Sequence, residues 1–291
     1  MSAKTPLNYY GGKQRIAKWI ISHFPPHECY VEPFGGGAAV LFAKPPSPVE
    51  VYNDIDGALV EFFRVLQDER LAAELIRRVV LTPYSRSEFE RAKAVYREYQ
   101  KVPEKWRDDD KRVEVAWAIA VRIVQSIGGR GESWSYGRTD KKSALNLRKW
   151  VRLPALLEAA VGRLKCVQIE HDDALKVIER YDSPETLFYL DPPYYPESRA
   201  SVKDYAYEMT PEQHYQLLEC VLRAKGYVVL SGYDNSLYAS TLSDWARVER
   251  KTRTFAFNSV RSPRREVLWL SPRTWKALRT LKFQEVINEG V

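Results

Sequence analysis

One stretch constrains the fold more than any other: Leu187-Phe188-Tyr189-Leu190-Asp191-Pro192-Pro193-Tyr194-Tyr195. An apolar run of strand length stops at an acid and two prolines. Each proline lacks an N–H and has a fixed φ, so a ladder cannot pass it and the strand ends at Asp191. In open α/β sheets, ligands bind beyond the carboxyl ends of the strands. A carboxylate, a rigid turn carrying a carbonyl and an aromatic face meet there. That set suits gripping a planar base by its amino group.

Earlier segments supply what such a strand end needs. Glu28–Glu32 reads as a strand, Pro33-Phe34-Gly35-Gly36-Gly37 as a turn and Ala38–Phe42 as a helix. Glycines in such a turn let a ligand approach the backbone closely, although a lone triplet is a weak signal. A second strand, Val49–Tyr52, runs into Asn53-Asp54. Asp54 lies 19 positions after Gly35, close to the spacing of about 20 for an acid that holds ribose hydroxyls. It could instead cap a helix starting at Asp56 or Gly57; its pairing with the glycine turn favours the ribose role. Asn8-Tyr9-Tyr10-Gly11-Gly12-Lys13 leads into an amphipathic helix expected from Gln14 to Phe24. Lys13 there is either an exposed lysine near a helix start or a cation lining a cofactor. After the strand Cys166–Ile169 come Glu170-His171-Asp172-Asp173. Asp173 could accept a hydrogen bond from an adenine amino group, but a helix N-cap is the favoured reading.

From Ala58 to about Gly162 helical patterns dominate and no strand is evident. Ser85 and Glu88 signal a helix start, and Asp108-Asp109-Asp110 precede an apolar-faced run from Val113 to Ile127. That run breaks into Gly128–Arg138, where Arg130, Trp134, Tyr136 and Arg138 interleave with glycines. From Arg122 to Arg152 eight basic residues stand against only Glu132 and Asp140. Arginine binds phosphates or reads guanine edges, and aromatic rings stack or wedge. The alternative is a solvated loop with a basic face; the coincidence of charge and aromatics favours nucleic-acid contact. A second basic stretch, Arg247–Arg265, suggests a hairpin arm over 253–265 before a last strand, Glu266–Leu270. Thr210-Pro211-Glu212-Gln213 starts another helix and Tyr227–Gly232 forms another strand.

The net charge of +7 over 291 residues favours a polyanionic partner. The three cysteines and four histidines show no metal-ligand spacing, so no metal centre is expected. No apolar run approaches the roughly 20 residues of a membrane span, and no signal-peptide core follows Met1-Ser2-Ala3-Lys4.

Four stations in order carry a resemblance: Asn8–Lys13, Val31–Gly37, Asn53-Asp54-Ile55-Asp56 and Asp191-Pro192-Pro193-Tyr194. Together they resemble the Dam-type DNA adenine-N6 methyltransferases, in the motif order of the alpha class. The resemblance implies an α/β fold, a Rossmann-like S-adenosylmethionine-dependent methyltransferase sheet with a mainly helical inserted target-recognition domain. Residues 1–57 and 165–291 would then be catalytic and 58–164 would bind DNA. It implies S-adenosylmethionine as cofactor, with Tyr9, Lys13, Glu32, Pro33, Phe34, Gly35, Gly37, Asp54 and Asp173 lining its pocket. Asp191 would stand between donor and base. Asp191, Pro192, Pro193 and Tyr194 would be catalytic, double-stranded DNA the partner, and Arg130, Trp134, Tyr136 and Arg138 its contacts. The implied setting is the cytoplasm of a bacterial or phage-infected host cell. Gly36 stands where many relatives carry a larger or polar residue, so a looser turn centre is expected. Two alternatives are an RNA adenine methyltransferase and a silent DNA-binding regulator of the same fold.

Overall fold

The computed structural model describes residues 4–137, 143–195, 207–252 and 264–289. Seven strands are present: β1 (Cys29–Glu32), β2 (Val49–Asn53), β3 (Val167–Glu170), β4 (Thr186–Leu190), β5 (Tyr227–Tyr233), β6 (Ala246–Thr252) and β7 (Arg264–Leu270). They form one sheet in the order β3-β2-β1-β4-β5-β7-β6. β1, β4 and β5 are parallel, whereas β7 is antiparallel to both β5 and β6. All five residues of β4 are buried, which is why the run Leu187–Leu190 is continuously apolar rather than alternating.

The strand order reverses between β1 and β4, which pair in the register Cys29↔Thr186, Tyr30↔Leu187 and Val31↔Phe188. Such a switch point opens a crevice beyond the carboxyl ends of the two strands. Pro33 follows the last residue of β1, and Asp191 that of β4.

The helices are α1 (Ala17–Ile21), α2 (Ala39–Ala43), α3 (Gly57–Gln67), α4 (Glu69–Leu81), α5 (Arg86–Lys101), α6 (Asp109–Val124), α7 (Ser143–Leu164), α8 (Ala174–Tyr181), α9 (Pro211–Arg223), α10 (Ser236–Thr241) and α11 (Pro272–Glu289). α1 is shorter than the apolar pattern over 14–24; residues 14–16 form turns, with the Ile16 N–H bonded to Lys13 O.

Contacts divide the chain into two compact units. One comprises Met1–Lys18, Gly35–Pro46 and Tyr52–Asp172. Its helical part runs from α3 to α7 with no strand among the described residues, only an isolated bridge between Ser126 and Trp134. α6 lies at its centre, with Val115–Val124 buried on every side, packed by α3, α4 and α5. Local acids and hydroxyls start these helices: Asp56, Asp68, Ser85 and Asp108 each accept a backbone N–H from the first turn. The unit therefore includes the N-terminal segment and the glycine turn besides the helices at 58–164.

The other unit comprises Trp19–Phe34, Ser47–Val51 and Asp173–Val291. Its core joins Val31, Phe188, Leu190, Val228, Leu230, Val267 and Trp269 of the strands to Leu217, Leu218 and Val221 of α9. Thr210 and Gln213 form the reciprocal capping box expected at the start of α9. The basic stretch after Trp245 begins as β6, the last strand in the sheet order, whose charged residues suit an edge. Most of the expected arm at 253–265 lies outside the described residues, and the last strand begins at Arg264. Among the described residues no helix is long and apolar enough to cross a membrane.

Candidate active site

The glycine turn is held through the peptide groups of Gly35 and Gly36. Gly35 N–H donates to Asn53 O at 2.8 Å, and Ala38 N–H donates to Gly35 O at 2.7 Å. Gly36 N–H donates to Asp54 Oδ2 at 2.7 Å, while Gly36 O accepts from the Tyr52 hydroxyl at 2.9 Å. Steric room explains two of the three glycines. A Cβ on Gly35 would lie 2.1 Å from the Tyr52 ring, and one on Gly37 would lie 2.8 Å from Tyr9 Cβ. Gly36 differs: its φ is +49°, which L residues rarely adopt, yet a Cβ there would sit at an ordinary 3.6 Å from Tyr9. The middle of the triplet is thus fixed by two hydrogen bonds and a left-handed backbone. It is not the looser position expected from the sequence.

Asp54 is not the cap of α3; Asp56 takes that place, accepting from Ala58 N–H at 3.1 Å. Asp54 accepts from Gly36 N–H through one oxygen and from Asp56 N–H through the other, at 2.9 Å. Burial pushes its carboxyl up to about 6, with the nearby Asp56 charge acting in the same direction and the backbone N–H donors opposing both. A carboxylate so placed can still receive hydroxyl donors, because an ionised carboxylate offers about four lone-pair sites.

Tyr9 packs against Gly36 and Gly37, and burial raises its phenol well above the ordinary value. Lys13 is only 5% exposed, with Nζ 3.4 Å from Gly11 O. That removes the exposed-lysine reading, since buried lysines are rare unless partnered. Sequence reasoning missed a group behind this segment. Asp56 accepts from the Tyr96 hydroxyl at 3.0 Å and from Gln100 Nε2 at 2.9 Å. The buried Arg122 guanidinium stacks 3.5 Å from the centre of the Tyr96 ring. These residues are spread over 66 positions, and no short motif could reveal them.

Of the Gly128–Arg138 loop, Gly128–Gly137 are among the described residues and Arg138 is not. Ile127 N–H donates to Ser133 O and Ser135 N–H to Gln125 O, closing the loop. Tyr10 N–H donates to Gly129 O at 3.2 Å, and Arg130 donates to the Tyr10 hydroxyl at 2.7 Å while lying 4.1 Å from that ring centre. Trp134 and Tyr136 stack at 6.0 Å and 20°, with Arg86 4.8 Å from the Trp134 ring. Tyr136 is 58% exposed. An exposed aromatic–arginine ladder of this kind offers both a stacking face and positive charge.

In the other unit, β4 ends beside β1 and β5, with Leu190 opposite Leu230. Asp191 and Pro193 are half-buried, and Pro192 is buried. Glu32, the last residue of β1, is buried too. Tyr194 is 8% exposed; its ring packs 4.2 Å from the Tyr233 ring and its hydroxyl donates to Glu266. Pro33 and Phe34 follow β1, and Phe34 packs on the unit's core. Asp173 caps α8, Oδ1 accepting from Leu175 N–H at 2.9 Å and Lys176 N–H at 3.4 Å. Asp173 thus takes the N-cap role favoured from the sequence, through Oδ1. No group of His, Cys, Asp and Glu that could hold a metal ion occurs among the described residues.

The family model described as D12 class N6 adenine-specific DNA methyltransferase matches residues 9–255. No curated protein matches the chain in sequence. Among solved structures the chain is similar to the rRNA methyltransferase aviRa from Streptomyces viridochromogenes, at 12% identity and a TM-score of 0.40, with 91% of this chain and 87% of that chain covered.

Proposed function

This chain belongs to the D12 class of N6 adenine-specific DNA methyltransferases, and we propose how its residues carry that reaction on duplex DNA with S-adenosylmethionine as donor. The donor set fits that cofactor. A glycine turn with a half-buried centre, a half-buried acid and a tyrosine against the turn suit a nucleoside with a ribose diol. Asp54 accepts the ribose hydroxyls, and Tyr9, Lys13 and the Gly35–Gly37 turn hold the remainder, with Glu32, Pro33 and Phe34 closing the end of β1. When bound, S-adenosylmethionine supplies an electrophilic methyl group, so no covalent enzyme intermediate is needed.

The target adenine leaves the duplex at an unstacking cost of a few kcal/mol, partly offset by stacking on Tyr194. Its amino lone pair is delocalised into the ring and is a poor nucleophile. Asp191 and the Pro192 carbonyl accept its two N–H bonds. This localises the lone pair on nitrogen and orients it for in-line attack. Arg130, Trp134, Tyr136 and Arg138 contact the DNA around the extruded base. The observation that carries the reading is the place of Asp191: it ends a fully buried strand at the switch point of the sheet, where such folds bind ligands.

The test is the product. Duplex DNA incubated with the protein and tritiated S-adenosylmethionine is digested to nucleosides, and structured RNA is treated in parallel. The expected product is N6-methyladenine from DNA at a defined sequence. Label in RNA alone, or no label in either, overturns the reading.

A further inference from the structure

Glu266 is a buried acid on the strand next to the β6 edge of the sheet, and no step above uses it. It is 4% exposed and lies on β7, opposite Tyr233 of β5 and Arg250 of β6. It also lies beyond residues 9–255 of the family match. Its carboxylate accepts from the Ser231 hydroxyl at 2.6 Å. It accepts also from the Tyr194 hydroxyl, at 3.1 Å to one oxygen and 3.3 Å to the other.

An acid is an expensive choice for this position. A buried carboxylate is disfavoured unless hydrogen-bonded, and an apolar residue of similar volume often gives equal or better stability. The next four residues of β7, Val267 to Leu270, are apolar and buried. What the acid provides is direction. Two successive prolines leave the turn after Asp191 without N–H donors at positions 192 and 193, so those residues cannot anchor the turn through a ladder. Tyr194, the next residue, supplies a side-chain anchor instead. With its hydroxyl bound to Glu266 and its ring against Tyr233, both ends of the side chain are fixed.

We propose that Glu266 is a positioning residue for methyl transfer. It holds the Tyr194 hydroxyl and thereby sets the Tyr194 ring and the Pro192–Pro193 turn in the geometry that receives adenine. This rests on the reading of Asp191–Tyr194 as the base-binding segment. Ser231, bonded to the same carboxylate, fixes the rotamer of the acid.

The test uses the full chain with Glu266→Ala, Glu266→Gln, Tyr194→Phe and the double variant Glu266→Ala/Tyr194→Phe. The readouts are kcat and KM on a duplex carrying the mapped site, S-adenosylmethionine affinity by calorimetry, and fluorescence of 2-aminopurine at the target adenine. Glu266→Ala is expected to lower kcat by on the order of 100-fold, the scale of a misplaced reacting group. Cofactor affinity is expected to stay within about twofold, because the bonds removed, to Tyr194 and Ser231, are to residues not assigned to the cofactor. Glu266→Gln keeps an oxygen for the hydroxyl and recovers most of the rate. Tyr194→Phe loses much of the same rate, and the double variant loses little more, the mark of two residues acting as one unit. If Glu266→Ala does not fold, Glu266→Gln and Tyr194→Phe still decide: full kcat in Tyr194→Phe overturns the proposal. Unchanged kcat in Glu266→Ala, or losses that simply add in the double variant, overturn it while leaving adenine methylation intact. A wild-type protein that forms no N6-methyladenine removes the base-binding reading and this inference with it.

Discussion

If Asp54 holds the ribose as proposed, its raised carboxyl makes cofactor binding weaken as pH falls through about 6. Burial disfavours the charged form of Asp54 and pushes its carboxyl from 3.8 up to about 6. In the proposed role the ionised form accepts the ribose hydroxyls, so below that value binding would first have to expel a proton. Affinity then falls by the protonated fraction. At pH 5 the loss is about tenfold relative to pH 8, and each further unit costs about another tenfold. The assay is titration calorimetry with S-adenosylmethionine at pH 5 and pH 8, in buffers of different ionisation enthalpy. About one proton should be released per cofactor bound at pH 5 and almost none at pH 8. Asp54→Asn should bind weakly and lose the pH dependence. Equal affinity at the two values with no proton release refutes the reasoning. The same shift has a stability consequence. Between 3.8 and about 6 the folded chain holds a proton that the unfolded chain has released, so this contribution is full below 3.8 and is lost as pH rises through about 6. Its upper limit is about 3 kcal/mol, reduced because Asp54 is partly solvated.

The glycine turn separates two effects. Gly36→Ala places a side chain at φ +49° without a clash and should cost about 1–2 kcal/mol in urea unfolding, with cofactor affinity largely kept. Gly35→Ala drives a Cβ into the Tyr52 ring and Asn53 O; it should cost about 3 kcal/mol and lower cofactor affinity at least about tenfold in calorimetry. Arg122→Met removes the cation that lowers the pKa of buried Asp56 and stacks on Tyr96, and should destabilise by about 3–5 kcal/mol in urea titration. Trp134→Ala and Tyr136→Ala should each weaken duplex binding by about 1–3 kcal/mol in fluorescence anisotropy, without changing cofactor affinity.

Signals carried by a few neighbouring residues were legible in the sequence. The proline pair stops β4 where its backbone runs out of donors, and the glycine turn sits between β1 and α2. Thr210 and Gln213 cap α9, and Asp173 caps α8, by geometry that spans three residues. What escaped depends on long-range contacts. β6 reads Ala-Arg-Val-Glu-Arg-Lys-Thr, whose charges suit an edge strand but hide it in a basic stretch. Glu266 meets Tyr194 across 72 positions of chain, and Asp56 meets Tyr96 and Gln100 across about 40. Arg130 looked like a DNA contact from composition, and its bond to Tyr10 was visible only once residues 10 and 130 were brought together. At Gly36 it is the backbone angle rather than the room around it that favours glycine, which no neighbouring residue signals.

The central claim is that Asp191 accepts the amino group of an extruded adenine. It is tested most directly by the single-turnover rate of methyl transfer to duplex DNA, wild type against Asp191→Ala, with cofactor and DNA both saturating. Loss of that acceptor should lower the rate by at least about 100-fold, with N6-methyladenine still the product of the wild type. Equal single-turnover rates in the two proteins would contradict the claim.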